Sequence, residues 1–270
     1  MAASFLGLKY INNVTGLGAV FTNRSFLTFV ATVLCRLSFA KASCTFFQNE
    51  TDEKLFADLG IKSKKALIVK GSGVDTEYLK SQNESVADYD FLMIGRILKD
   101  KGVVEFLEAA RKLREFNSEI RLSLVGGFDP GNPSEIKQQG FNNWLNESGV
   151  EYLGETQDIK AVIESARIIV LPSYREGLSR ALIEGASMSR PLVTTNVPGC
   201  RDVVLDGENG YLCEARNSED LYLKMKKIFS LSPEALREMG RLSRERAETI
   251  FSEKVINDAI FEEITSQLGI

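Results

Sequence analysis

Two acids, Glu176 and Glu184, stand eight positions apart where an apolar run from Ile168 to Leu171 breaks at Pro172-Ser173. The chain then passes through Glu176-Gly177-Leu178-Ser179 into a helix-like stretch ending near Ser189. With a helix start near Ser179, Glu176 precedes the N-terminus and Glu184 lies about one turn inside. The first N–H groups of a helix lack intrahelical partners and carry the positive end of its dipole. Such a junction favours an anion such as a diphosphate, and a carboxylate on either side accepts bonds from sugar hydroxyls. The residue types suit a nucleotide-sugar. Two solvated acids on a Glu-rich helix are the plain alternative.

A second constellation is Gly95-Arg96-Ile97-Leu98-Lys99-Asp100-Lys101-Gly102, directly after a strand-like run. Arg96 and Lys101 flank the next helix start. A forked guanidinium and a flexible ammonium converging on one point satisfy a diphosphate without a metal. An ordinary charged loop is the alternative, and Lys99 reads as merely exposed. Val125-Gly126-Gly127 and Tyr152-Leu153-Gly154 end two further strands. At Gly127 the backbone can approach a ligand closely or simply turn. Asp88-Tyr89-Asp90 has the D-x-D form of a metal motif, but it precedes a strand rather than following one, and is set aside as coincidence. Thr15-Gly16-Leu17-Gly18 lacks the third glycine of a dinucleotide fingerprint and reads equally as a tight turn.

Positioning these residues requires a parallel sheet. Apolar strand candidates are 91–94, 121–125, 150–153, 168–171, 192–195 and 210–213, with helical segments at 103–116, 133–147, 159–165 and 179–189 between them. Six short strands alternating with amphipathic helices predict a doubly wound α/β domain with helices on both faces. Ligands of such sheets lie beyond the carboxyl ends of the strands, where the motifs fall. Helices over 218–229, 232–249 and 252–268 close the chain. Ahead of residue 81 the alternation is thinner: a strand over 5–13, a helix over 25–42, strands at 42–47 and 66–69, and a helix over 52–59. The predicted organisation is a partial N-terminal α/β domain (1–80), a C-terminal nucleotide-sugar domain (81–250) and a returning helix (251–270).

Composition excludes several chemistries. The 270 residues contain no histidine, which removes Ser-His-Asp and Cys-His catalysis and the usual zinc site. Four cysteines without C-x-x-C spacing read as reduced thiols of a cytoplasmic protein. A net charge of −4 argues against a nucleic-acid partner. The nine-residue run from Phe26 to Leu34 is too short to span a bilayer. The clusters Lys62, Lys64, Lys65 and Lys224, Lys226, Lys227 read as solvated faces.

In combination the motifs resemble family 4 glycosyltransferases, retaining enzymes of the GT-B fold that use nucleotide-sugar donors. The resemblance rests on G-R-x-x-x-x-K-G, V-G-G, Y-L-G and E-x7-E in the family order at successive strand ends, followed by Arg190-Pro191, Pro198-Gly199 and Asp206 to Gly210. It extends through Gly71-Ser72-Gly73, like an interdomain crossover, to Asn12–Gly18 and Phe47-Gln48-Asn49. It implies that Arg96 and Lys101 serve the donor phosphates, Glu176 the transferred sugar and Glu184 the ribose. The backbone of Gly177 and Leu178 would face the diphosphate beside Ser179, Leu153 and Gly154 would border the base with Gly127 nearby, and Gly16 and Gly18 would lie on the acceptor side. No metal or other cofactor is expected. UDP is the favoured nucleotide, and a glycan or lipid-linked glycan the acceptor, with peripheral contact at the inner membrane face. The family pattern is entered partway, so roughly half of the N-terminal domain is expected to be missing, and a complementing N-terminal chain is a partner to consider. A nucleotide-binding fragment inactive without that chain, and a sugar-nucleotide epimerase, are the rival readings.

Overall fold

The computed structural model describes residues 2–17, 21, 26–81 and 87–268. The chain divides into two units, 1–73 with 253–270, and 74–252. The expected boundary near residue 80 therefore moves to Gly73. The cause is local: Val74 donates its N–H to Phe251 O (2.9 Å), and Leu79 O accepts from Ser187 Oγ (2.7 Å) and Arg244 Nη1 (2.8 Å). These bonds bind 74–79 into the larger unit.

The smaller unit contains α1 (Ala2–Phe5), β1 (Ile11–Val14), α2 (Phe26–Phe39), β2 (Cys44–Phe47), α3 (Glu50–Asp58) and β3 (Ala66–Ile68). The strand expected over 5–13 is shorter and later. Bonds from Leu6 N to Ala2 O (3.1 Å) and Leu8 N to Ala3 O (3.0 Å) coil the first residues instead. Val14 is the last residue of β1 and pairs with Phe47. The three strands are parallel with β2 central. Successive side chains of β2 serve opposite faces. Phe47 packs with Val14, Leu17, Phe56 and Ile61, while Cys44 and Phe46 pack with Val69 and Ile256.

The larger unit runs β4 (Tyr89–Ile94), α4 (Val103–Phe116), β5 (Leu122–Val125), α5 (Gln138–Ser148), β6 (Glu151–Tyr152), α6 (Ile159–Glu164), β7 (Ala166–Leu171), α7 (Arg180–Ser187), β8 (Leu192–Thr195), β9 (Gly210–Cys213), α8 (Ser218–Phe229) and α9 (Pro233–Arg246). A wider helical turn over Ala247–Phe251 follows, and α10 (Glu253–Leu268) belongs to the smaller unit. There Ile256 joins the β2 core, and Glu263 pairs with Lys65 at 2.5 Å. Lys65 is thus an ion-pair partner on a face that stays exposed.

All six strands of the larger sheet are parallel, in the order β6-β5-β4-β7-β8-β9. Phe91, Leu92 and Met93 are fully buried, as are Ile168, Ile169 and Val170. Covering a sheet on both faces calls for such continuous apolar runs. The helix α4 buries Val103, Phe106, Leu107, Ala110 and Leu113, one stripe at 3–4-residue spacing. The helix expected from Pro133 starts five residues later. Asn132 Oδ1 accepts from Ser134 N (3.0 Å), and Lys99 N donates to Ser134 O (2.9 Å), which commits this backbone to a loop. Asp90, half of the discarded D-x-D, is buried and structural: it accepts from Arg121 N (3.0 Å) and pairs with Arg167 (2.8 Å).

Candidate active site

The strand order reverses between β4 and β7, and such a switch point opens a crevice beyond the carboxyl ends of the two strands. The segment 95–102 leaves β4 there, and the segment 172–179 leaves β7. Two glycines let the loops meet. Gly102, at φ 75°, starts α4, and a Cβ on it would stand 2.1 Å from Pro172 O. A Cβ on Gly126 would stand 1.9 Å from Gly95 O, so the loop after β5 rests directly on the loop after β4. Only hydrogen fits at either position.

Across this junction Lys101 Nζ and Glu176 Oε1 form an ion pair at 2.5 Å, with side chains 21% and 13% exposed. Lys101 is held at the end of a tight turn, Lys99–Lys101, and its stem passes over Gly95. Glu176 N donates to Pro198 O (3.3 Å) and Ser179 N to Gly199 O (3.0 Å), which secures the 172–179 loop to the loop after β8. From the other side, Ser173 Oγ (3.0 Å) and Tyr174 N (2.8 Å) donate to Asp100 O. Thr195 Oγ1 donates to Ser173 O.

The other charged candidates are also paired. Arg96 Nη1 meets Asp129 Oδ2 at 2.5 Å, with the Arg96 side chain 57% exposed. Glu184 is buried on the second turn of α7 and accepts from the exposed Arg180 Nε at 2.8 Å. The sequence thus brings Lys101 and Glu176 together directly, while Arg96 and Glu184 each have a local partner.

Backbone candidates fall into two groups. Ser179 is buried, its Oγ caps α7 by accepting from Leu182 N (3.4 Å), and its N–H is committed to Gly199. Gly177 and Leu178 are half-buried at the crevice. Leu153 N is used by Leu124 O (2.9 Å), and Gly154 O by Gly126 N (2.8 Å). Nothing lies within 4 Å of the Cβ direction of Gly154. Gly127 O accepts from Ile97 N (2.9 Å), and the Glu155 carboxylate lies 3.1 Å from where its Cβ would be. Gly16 sits in the smaller unit at φ 136°, and Gly18 lies outside the described residues.

Asp129, and Tyr174 with its partners Glu105 and Arg216, escaped the sequence reading. Asp129 follows β5 by four residues and marks no motif. Tyr174 Oη donates to Glu105 Oε1 at 2.5 Å, and Arg216 stacks on the Tyr174 ring at 4.7 Å. Burial, followed by the Glu105 carboxylate, pushes the Tyr174 phenol well above its usual range and keeps it a donor. Behind the loop, burial raises the Cys200 thiol to about 12. An apolar strand end followed by a tyrosine is the only signal that pointed to Tyr174.

A doubly wound sheet with charged groups at its switch point, joined to a smaller parallel α/β unit, defines a GT-B-type protein. The chain belongs to the family described as "Glycosyl transferases group 1", whose model matches residues 74–246. It is 30% identical over 241 residues to the N,N'-diacetylbacillosaminyl-diphospho-undecaprenol alpha-1,3-N-acetylgalactosaminyltransferase of Campylobacter jejuni, covering 83% of this chain and 61% of that protein. It is 25% identical to the capsular polysaccharide biosynthesis glycosyltransferase CapM of Staphylococcus aureus, covering 84% and 60%. The chain spans about three fifths of the length of these curated relatives. Among solved structures, Anabaena Alr3699/HepE in complex with UDP superposes with a TM-score of 0.85 at 17% identity, covering 98% of this chain and 74% of that one.

Proposed function

We propose that this chain moves a sugar from a nucleoside-diphosphate sugar, UDP favoured, to an acceptor hydroxyl with retention of configuration, in surface polysaccharide or glycan synthesis. The observation that carries the reading is the Lys101–Glu176 pair at the switch point of the larger sheet. A donor entering there exchanges this pair for its own: Lys101 and Arg96 take the diphosphate, and Glu176 turns to the sugar hydroxyls. Charge developing on the departing diphosphate is then met by fixed cations and by N–H groups near Gly177. Glu184 accepts from the ribose. As the family resemblance implies, the leaving phosphate takes the acceptor proton on the same face of the sugar, a step that needs no histidine. No metal is assigned a role.

The name of the Campylobacter relative supports a lipid-linked glycan acceptor, and the UDP bound in the Anabaena structure supports a UDP donor; such an acceptor would bring the protein to the inner membrane face from the cytoplasm. Among the described residues, no helix is long and apolar enough to cross a membrane. One observation favours the fragment reading. Phe26, Phe29 and Leu37 on α2 are 82%, 65% and 59% exposed, an apolar face that further polypeptide would cover.

Calorimetric titration of the chain with UDP tests the reading. Binding is expected and should weaken in Arg96→Ala and Glu184→Ala, while Glu176→Ala should bind UDP and lose transfer. Absence of binding to UDP, GDP and ADP, or equal and negligible effects of both glutamate substitutions, would sink the assignment.

A further inference from the structure

We propose that Tyr174 is the positioning residue of the candidate active site, acting with Glu105 as a clamp that holds Glu176 in register with Lys101. The proposal rests on the reading of Glu176 as the donor-sugar carboxylate. The 172–179 loop has no secondary structure of its own and joins β7 to α7. Its anchor toward β8 and the loop after it uses backbone acceptors and Thr195. Toward β4 the loop is held by Ser173 and Tyr174 on Asp100 O, the carbonyl just before Lys101. Tyr174 also reaches from the loop to a helix: its hydroxyl donates to Glu105 on the first turn of α4.

Two features of this contact exceed what packing demands. Glu105 Oε2 is buried and has no hydrogen-bond partner. A carboxylate with one oxygen satisfied is a costly filler for a helix face, and a neutral or apolar side chain would cost less. Arg216, which covers the outer face of the Tyr174 ring, adopts φ 62°, a backbone conformation that side chains other than glycine rarely take. The loop after β9, the start of α4 and the loop after β7 therefore converge on one phenol two residues from Glu176. Lys101 lies four residues before Glu105, so Lys101 and Glu105 share the beginning of α4, while Tyr174 and Glu176 share the opposite loop. Two bridges joining the same two segments, Lys101–Glu176 and Glu105–Tyr174, fix both their separation and their rotation. A donor that breaks the first bridge finds the second still closed.

Hydrogen–deuterium exchange of the 270-residue chain tests the clamp without any ligand, because Tyr174, Glu176 and Ser179 amides are all hydrogen-bonded. In Tyr174→Phe and Glu105→Leu, amides of 173–179 should exchange about tenfold faster or more, the loss of one hydrogen bond to a charged group. Glu105→Gln keeps an acceptor for the phenol and should restore the wild-type pattern. UDP affinity should stay within about twofold in all three variants, while turnover of a UDP-sugar falls about tenfold in the first two alone. Unchanged exchange in Tyr174→Phe, exchange rising equally through β4, β7 and α4, or Glu105→Gln behaving like Glu105→Leu would overturn the proposal. Failure of the wild-type chain to bind UDP would instead refute the nucleotide-sugar reading, and the exchange pattern would still decide the clamp.

Discussion

Replacing Gly102 by alanine puts the assembly of the crevice to a quantitative test. Gly102 has φ 75° and its Cβ would lie 2.1 Å from Pro172 O and 2.7 Å from Pro172 C. Gly154 also has φ 75°, yet nothing lies within 4 Å of its Cβ direction. The two substitutions share the left-handed backbone penalty, about 1–2 kcal/mol, and a partial offset of about 0.4–1 kcal/mol from a stiffer unfolded chain. Gly154→Ala should therefore cost about 1 kcal/mol. Gly102→Ala adds a collision with backbone that cannot rotate away, about 1–3 kcal/mol for overpacking, and should cost about 2–4 kcal/mol in all. Trp144, the one tryptophan of the chain, lies on α5 against the core of the larger unit and reports its unfolding by fluorescence. With a urea dependence of about 2 kcal/mol per molar, the midpoint should fall by about 1–2 M for Gly102→Ala and by about 0.5 M for Gly154→Ala. UDP affinity should fall with the former, since the new methyl group pushes the start of α4 off the loop that carries Glu176. Equal midpoints for the two variants would refute direct contact between the loops after β4 and β7.

Further outcomes follow from the charges and thiols. Asp129 competes with the donor phosphates for Arg96, so Asp129→Asn should tighten UDP binding severalfold at low salt, as read by calorimetry; weaker binding would mean that Asp129 orients Arg96 instead. In the smaller unit the Lys65 ammonium, helped by the Gln267 amide, holds the Glu263 carboxyl below its usual range. A depressed carboxyl contributes stability above its unfolded pKa, near 4.3, and loses it as the pH falls through the folded value. Protection of the β2 amides should therefore fall more steeply between about pH 5 and pH 3 in the wild type than in Glu263→Gln. Burial raises the thiols of Cys44 to about 11 and of Cys200 and Cys213 to about 12, and all three are buried, whereas Cys35 is half-buried. Iodoacetamide at pH 8 should modify Cys35 first by mass spectrometry, and early labelling of Cys200 would contradict the closed loop in front of it.

The six strands of the larger sheet were legible because each is a short apolar run between helical periods, and burial on both faces allows little else. Motif order placed Arg96, Lys101 and Glu176 at strand ends for the same reason. What the sequence could not show is which strand ends adjoin. Lys101 and Glu176 are 75 residues apart, and Tyr174 and Glu105 are 69 apart; only the reversal between β4 and β7 brings either pair together. Local errors had local causes. Leu6, Leu8 and Tyr10 alternate like a strand, yet the chain coils before Lys9. Pro133 suggested a helix start that Asn132 and Ser134 convert into a loop. Ser179 also caps α7, a role the sequence did not separate from ligand binding because good capping residues and phosphate-binding residues are the same types.

The strand order also sets a sequence of events at the ribosome. The central strand β4 is made first, and β5 and β6 add to one of its edges soon after. Its other edge waits for β7, whose register begins 77 residues downstream, at Ala166 opposite Tyr89. At about 5–20 residues per second, that edge stays unpaired for roughly 4–15 s. Until β7 arrives, half of the sheet is a bare template flanked by an unopposed Lys101, and the nascent chain has no crevice. The buried row Phe91-Leu92-Met93 is then the region most in need of a chaperone, and a pause before Ala166 would lengthen the exposure.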